Sequence, residues 1–193
     1  LVTKHCKVVI GRDAGDELFG GYNHYSRLLL LEKYFGSIPQ FIKNMLVFGS
    51  HLMPFGSKAR NYLRCLDKNL YGNLPMTANY FDSSLRAKLL PKNSLSENAE
   101  YIWRKKIPPQ EDIIQSATRM DFCNYLPEDI LVKIDRASMA HSLEVRAPFL
   151  DKNLIEFAFS KIPSHLKVDE NNKKILLRKL SKKVLPSKFD SKR

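Results

Sequence analysis

Cysteine is scarce and badly placed for cross-linking in this sequence. Cys6, Cys65 and Cys123 lie far apart, with no Cys-x-x-Cys and no neighbouring histidine at ligand spacing, which excludes a disulfide framework and a structural zinc site. Reduced thiols in a cytoplasmic protein are the expectation. No apolar run approaches the ~18 residues of a membrane span, and the N-terminus lacks the charged-then-apolar order of a signal peptide. Internal repeats are absent. Acids are also few, 20 against 32 Lys plus Arg, so the chain carries +12 and calls for an anionic partner or an acidic remainder. Nucleic acid is set aside as that partner: the cations are scattered, and small clusters such as Arg104-Lys105-Lys106 and Lys173-Lys174 sit on segments that also read as helical faces.

Strands are the scarcest element. Only Cys6-Lys7-Val8-Val9-Ile10-Gly11, a β-branched run ended by glycine, reads as one. Helix dominates the rest, with predicted segments over Tyr25–Tyr34, Ile38–Met53 (Ser37 as cap, Pro39 in the first turn), Ser57–Leu66, Asp82–Leu90 and Ser94–Lys106. Pro109-Gln110-Glu111-Asp112 opens a further helix to about Tyr125, and Pro127-Glu128-Asp129 another to about His141. Leu150–Lys161 and Lys173–Val184 follow. At 193 residues and 44% hydrophobic the chain can build one ordinary core. A lone strand cannot form a sheet, so its neighbours are expected from chain preceding Leu1. The opening without Met beside a strand and the closing basic run read as two cuts in a longer protein.

Two constellations carry chemistry. The first, Gly11-Arg12-Asp13-Ala14-Gly15-Asp16-Glu17-Leu18-Phe19-Gly20-Gly21-Tyr22, sets three carboxylates just past the carboxyl end of a strand, the edge where ligands bind in open α/β sheets. Carboxylates so placed suit Mg²⁺, which takes one or two of them and completes its shell with phosphates and water. A plain acidic loop is the other reading, with Gly15 at a tight turn and Gly20-Gly21 as a bend for close packing. The second constellation is Leu126-Pro127-Glu128-Asp129 through Lys133, Asp135-Arg136 and Ser138-Met139-Ala140, then Glu144-Val145-Arg146-Ala147-Pro148-Phe149-Leu150-Asp151. There Asp129 and Lys133 share a helical face, in a site or in an ordinary salt-bridged surface.

Asp16-Glu17-Leu18-Phe19-Gly20-Gly21-Tyr22 resembles the signature that follows the nucleotide loop in glutamine-hydrolysing asparagine synthetases. The second constellation resembles that family's second signature, in the same order. The resemblance implies the helical half of an adenine nucleotide α-hydrolase-like α/β domain, spanning 1–193 as part of a synthetase domain. It implies adenylation of a carboxylate, usually that of aspartate, by MgATP, with pyrophosphate released and AMP then displaced by ammonia from glutamine. Asp16 corresponds to a family carboxylate implicated in Mg²⁺ binding, and Asp13 to an acid beside the acyl-adenylate where ammonia arrives. Asp13, Asp16 and Glu17 are thus the candidate nucleotide-binding residues, and Asp13, Lys133 and Arg146 the candidate catalytic ones. The two cations suit carboxylate or pyrophosphate, where negative charge concentrates as the leaving group departs. Glu144 either orients Arg146 or forms a buried structural ion pair with it.

The chain departs from the family at Gly11-Arg12-Asp13-Ala14-Gly15, where Ser-Gly-Glu-Gly-Ala is usual, and Arg12 adds bulk near the nucleotide. The family's Ser-Gly-Gly-x-Asp-Ser pyrophosphate loop and the N-terminal cysteine of its glutaminase domain are not in the sequence. Lys188–Arg193 resembles the approach to an essential family lysine, one residue short of it. The expectation is an inactive fragment that needs the N-terminal remainder or a partner chain, with a homodimer possible. Related amidotransferases acting on sugar acids, peptides or β-lactam precursors, a non-catalytic scaffold with a decayed site and, last, a basic nucleic-acid-binding helical protein are the alternatives.

Overall fold

Three β-branched residues in succession form β1 (Val8–Ile10) in the computed structural model, which describes residues 2–57, 59–66, 74, 86, 88–90, 99–107 and 112–186. β1 pairs in parallel with β2 (Glu144–Arg146), setting Val8 opposite Glu144, Val9 opposite Val145 and Ile10 opposite Arg146. One neighbour of β1 is therefore supplied from downstream, which corrects the expectation that its partners all precede Leu1. A segment of three residues, two of them charged and exposed around a half-buried valine, gives the sequence little β signal. Parallel pairing requires a long crossover, and the chain supplies it as helices.

Those helices are α1 (Gly15–Phe19), α2 (Asn23–Phe35), α3 (Gln40–Leu52), α4 (Arg60–Arg64), α5 (Ala99–Lys105), α6 (Ile113–Met120) and α7 (Leu131–Met139). After β2 come a 3₁₀ turn at Pro148–Leu150, α8 (Lys152–Ser160), α9 (Ser164–Lys167) and α10 (Ile175–Val184). The fold is mainly helical with two strands among the described residues, in line with the expected class. Predicted segments at 25–34, 38–53, 150–161 and 173–184 correspond to α2, α3, α8 and α10. Most of the helix predicted at 82–90, the first part of that at 94–106 and the opening at 109–111 lie outside the described residues.

The predicted break at Pro127 does not occur. Helix runs without interruption from α6 through Asp121–Ile130 into α7, and over those ten residues it widens to π spacing with Pro127 inside. Proline has no N–H to give and its ring crowds the carbonyl four residues back, so a wider turn is a local solution. Asp112 caps the start of α6, accepting from the Ile114 and Gln115 amides at 2.8 and 2.9 Å. Buried residues occupy nearly every side of α6, which makes it the central helix.

Two apolar clusters flank the acidic turn. One gathers Tyr25, Leu28 and Leu31 of α2 with Ile113, Ile114, Ala117 and Met120 of α6. The other gathers Ala14, Leu18 and Phe19 with Leu126, Ala158 and Ile162. Between them they bury the inner face of α1 and leave both ends of β1 uncovered: Val8 is 41% and Ile10 80% exposed.

Candidate functional site

The loop after β1 is stitched to β2 by the Gly11 amide, which donates to the Arg146 carbonyl at 2.7 Å. A Cβ at Gly11 would meet Asp13 Oδ2 at 2.7 Å and Val145 Cγ1 at 2.9 Å, so the Asp13 carboxylate lies back across Gly11 and beside β2. Ala14 then takes a left-handed conformation (φ 69°), a strained choice for a residue with a Cβ. Gly15, expected in a tight turn, instead begins α1 and receives the ring of Phe149, 3.3 Å from where its Cβ would be. Phe149 also meets Phe19 edge-on at 5.8 Å. The segment leaving β2 is thus packed onto the turn leaving β1, and the two sequence constellations meet at the carboxyl ends of a parallel pair.

Asp16 is half-exposed and pairs with Lys174 at 2.9 Å. A Cβ at Gly21 would fall 1.6 Å from Asp16 Oδ1 and 2.5 Å from Lys174 Cε, so this ion pair lies over a glycine and needs it. Gly20 ends α1 in the left-handed region (φ 69°) against Lys167 and Val168, which supports the close-packing reading of Gly20-Gly21. Glu17 goes elsewhere. It is fully buried, its Oε1 accepts from the Tyr22 hydroxyl at 2.5 Å, and its Oε2 has no hydrogen-bond partner. Burial pushes the Glu17 carboxyl above its ordinary range, and burial followed by the adjoining Glu17 pushes the Tyr22 phenol up. Placed so, Glu17 presents no accessible oxygen to a nucleotide and supports the turn from beneath.

A second buried acid backs the first. Asp121 Oδ2 accepts from the Tyr25 hydroxyl at 2.7 Å and meets His24 Nε2 at 2.8 Å. Tyr22 stacks on His24 and meets the edge of Tyr125. Sequence reasoning found Asp16 and Glu17 but missed Tyr22, His24, Tyr25, Asp121, Phe149 and Lys174 as their partners. Asp121 lies almost a hundred residues from Tyr25, beyond any local spacing rule.

The cationic side is built differently. Arg146 Nε donates to Glu144 Oε1 at 2.8 Å, and both are largely exposed, 70% and 55%, so the buried-ion-pair reading is corrected and the orienting contact stands. Glu144 pushes the Arg146 guanidinium pKa further up. Lys133 and Asp129 share a face of the helix as expected, 3.7 Å apart and exposed. α7, which carries Lys133, lies against β2. Neither Lys133 nor Arg146 is drawn into contact with Asp13 or Asp16. Among the described residues no group of three His, Cys, Asp or Glu converges on a metal position. Asp16 offers a single reachable carboxylate with a cation already at it, a donor set that fits Mg²⁺ only with phosphate oxygens and water completing its shell.

A family model described as asparagine synthase matches residues 1–192. Asparagine synthetase [glutamine-hydrolyzing] 1 of Bacillus subtilis is 34% identical over 187 residues, 95% of this chain and 29% of the relative. A putative asparagine synthetase [glutamine-hydrolyzing] of Mycobacterium tuberculosis is 30% identical over 190 residues, 95% of this chain and 28% of the relative. A further Bacillus subtilis protein, asparagine synthetase [glutamine-hydrolyzing] 3, is 43% identical over 58 residues, 30% of this chain and 9% of its own length. The chain spans less than a third of the length of these relatives. No solved structure matches. No helix among the described residues is long and apolar enough to cross a membrane.

Proposed function

Because this chain belongs to the asparagine synthase family, we propose that it forms part of the synthetase site of an ATP-dependent, cytoplasmic carboxylate-amidating enzyme, with aspartate as the carboxylate and ammonia from glutamine as the nucleophile. The observation that carries the reading is the parallel pairing of β1 with β2, which brings the acidic turn and the Arg146 segment to one carboxyl edge although more than a hundred residues separate them. In the adenine nucleotide α-hydrolase-like arrangement proposed here, further strands from the N-terminal remainder or a partner chain pair with the free edge of β1, and chain packed on its face covers the exposed Val8 and Ile10.

The residues divide the work by chemistry. MgATP, when bound, supplies the adenylyl group that makes the carboxyl carbon electrophilic, with pyrophosphate as the leaving group. Asp16, paired with Lys174 in the free chain, is the residue that would hold the cation accompanying the phosphates. Lys133 and Arg146, fixed cations on neighbouring elements, lower the cost of the charge that collects on departing pyrophosphate. Asp13, held over Gly11 beside the strand edge, takes a proton as ammonia attacks and AMP leaves. Glu17 acts indirectly, keeping α1 seated through Tyr22. Arg12 is exposed.

Pyrophosphate release from MgATP tests the reading, run with aspartate on the 193-residue chain beside the full-length polypeptide. Aspartate-dependent release by the longer protein alone is expected, because the interactions specific to the transition state are shared with residues outside this sequence. Silence from both with glutamine or ammonia present overturns the aspartate assignment, and release with a sugar acid or peptide in its place would redirect it to those carboxylates.

A further inference from the structure

Asp16 and Lys174 lie near opposite ends of the chain, and several separate contacts bring them together. The loop between α9 and α10 closes on itself through Asp169, whose Oδ1 accepts from the Asn171 and Asn172 amides at 2.8 and 2.6 Å. That turn is fastened to α2 at three points: Ser26 Oγ donates to the Asp169 carbonyl at 2.8 Å, Lys33 pairs with Glu170 at 2.6 Å, and Lys173 donates to Asn23 Oδ1. Lys174 follows in the left-handed region (φ 52°), which a residue with a Cβ rarely adopts. Ala14, which leads into the helix carrying Asp16, shares that conformation. Both halves of the ion pair are thus delivered from strained backbone, over a glycine that leaves room for them. The exposed pairs Lys133–Asp129 and Lys152–Glu156 need no such support, because each joins neighbours one turn apart on a helix.

The pair sets the terms on which a cation reaches Asp16. Its two side chains are 38% and 34% exposed, so a ligand can approach both. To a free divalent ion Asp16 offers one carboxylate, already neutralised by an ammonium 2.9 Å from its Oδ1. Lys174 would have to give up that oxygen and then stand beside a like charge, which disfavours the exchange. A polyphosphate removes both obstacles. Its oxygens fill the positions that a single carboxylate leaves open on the metal, and they give Lys174 a new acceptor. Metal and polyphosphate then each favour the binding of the other, and linkage makes that effect reciprocal.

We propose that Lys174 is a positioning residue of the acidic turn, one that makes divalent-metal binding at Asp16 conditional on polyphosphate. The inference rests on the reading of Asp16 as the metal carboxylate, and its test separates the two. Binding of Mn²⁺ alone to the full-length polypeptide is followed by loss of the free-ion electron paramagnetic resonance signal, and binding of Mn²⁺ with α,β-methylene ATP by calorimetry. Lys174→Met removes the charge at similar length, Lys174→Gly removes it and suits the left-handed backbone, and Lys174→Arg keeps it. Both neutral variants are expected to tighten Asp16-dependent binding of Mn²⁺ alone at least about fivefold and to weaken binding of the metal–nucleotide complex by a similar factor, with Lys174→Arg close to wild type. In pyrophosphate release they raise the KM for MgATP and change kcat less than about threefold. A merely structural lysine would weaken both kinds of binding together. That result, or no gain in free Mn²⁺ affinity in either neutral variant, overturns the proposal. Asp16→Asn shows which reading has failed. If it weakens metal–nucleotide binding while the Lys174 variants match wild type, the role of Lys174 falls alone; if it leaves that binding unchanged, the metal reading of Asp16 falls and takes this proposal with it.

Discussion

Asp121 and Arg146 each hold a charge-assisted hydrogen bond, at 2.7 and 2.8 Å, yet Asp121 is 2% exposed and the Arg146 side chain 70%. The acidic turn is backed by the core: Tyr22, Tyr25 and His24 reach two buried carboxylates between the apolar clusters, and low dielectric makes each of those bonds costly to lose. The cationic side stands in water. Surface pairs such as Arg146 with Glu144 and Lys133 with Asp129 contribute little to stability and are screened by salt. One side of the site is therefore organised before any ligand or partner arrives, and the other acquires its strength only when something excludes water from it.

The contrast is broken most severely at Asp121. Asp121→Ala removes the acceptor of the fully buried Tyr25 hydroxyl and of the partly buried His24. Loss of a buried charged partner typically costs 3–5 kcal/mol, so about 3 kcal/mol is expected, read as a lower urea midpoint at unchanged slope. A loss below about 1 kcal/mol would show that the network beneath the turn is as weakly coupled as the surface pairs.

Lysine gives the same comparison within one residue type. Lys133 is 64% exposed, whereas Lys167 is fully buried, with Nζ 3.1 Å from Gln115 Oε1 and over the ring of Phe159. Burial first, and then the neighbouring Arg119, lower the Lys167 pKa from 10.5 to about 8, while Asp112 opposes the change. Between pH 8 and 10.5 the unfolded chain therefore holds a proton that the folded chain has lost. Stability from this group is full above about 10.5, declines as pH falls from 10.5 to 8 and is lost below about 8, by on the order of 3 kcal/mol at ~1.4 kcal/mol per unit. Urea unfolding from pH 7 to 10.5, compared between wild type and Lys167→Met, isolates that slope from those of other lysines. Identical slopes would mean that Lys167 reaches water.

This difference between regions also explains what the sequence revealed. Asp13, Asp16, Glu17, Lys133 and Arg146 could be singled out as candidates because they sit in contiguous motifs, and α2, α3, α8 and α10 were legible because their apolar periodicity is local. The partners of those residues were not legible. Asp121 reaches Tyr25, and Lys174 reaches Asp16, only after tertiary packing, and no periodicity encodes that contact. Pro127 misled for the opposite reason: it is a strong local stop signal, and the surrounding helix overrides it by widening. The exposure of Phe41, Met45, Phe48 and Leu52 on α3 escaped notice because phenylalanine, methionine and leucine at helical spacing read as core until a structure shows which face is covered.

The smallest expected effect on the fold falls on the cationic side. Lys133→Ala breaks an exposed pair already stretched to 3.7 Å, and Arg146→Ala frees Glu144 to water, so neither variant should shift the melting temperature measurably. Their effect belongs to the assembled enzyme. In the proposed reading each variant removes a fixed cation from the site where pyrophosphate departs, and loss of a transition-state donor of that kind typically costs about 10²–10³ in kcat. The two measurements together separate the roles: unchanged melting with a turnover loss of that order in the full-length protein identifies the residue as acting on the leaving group. Unchanged melting with unchanged turnover would return Lys133 and Arg146 to an ordinary solvated surface, leaving the acidic turn without its counterpart.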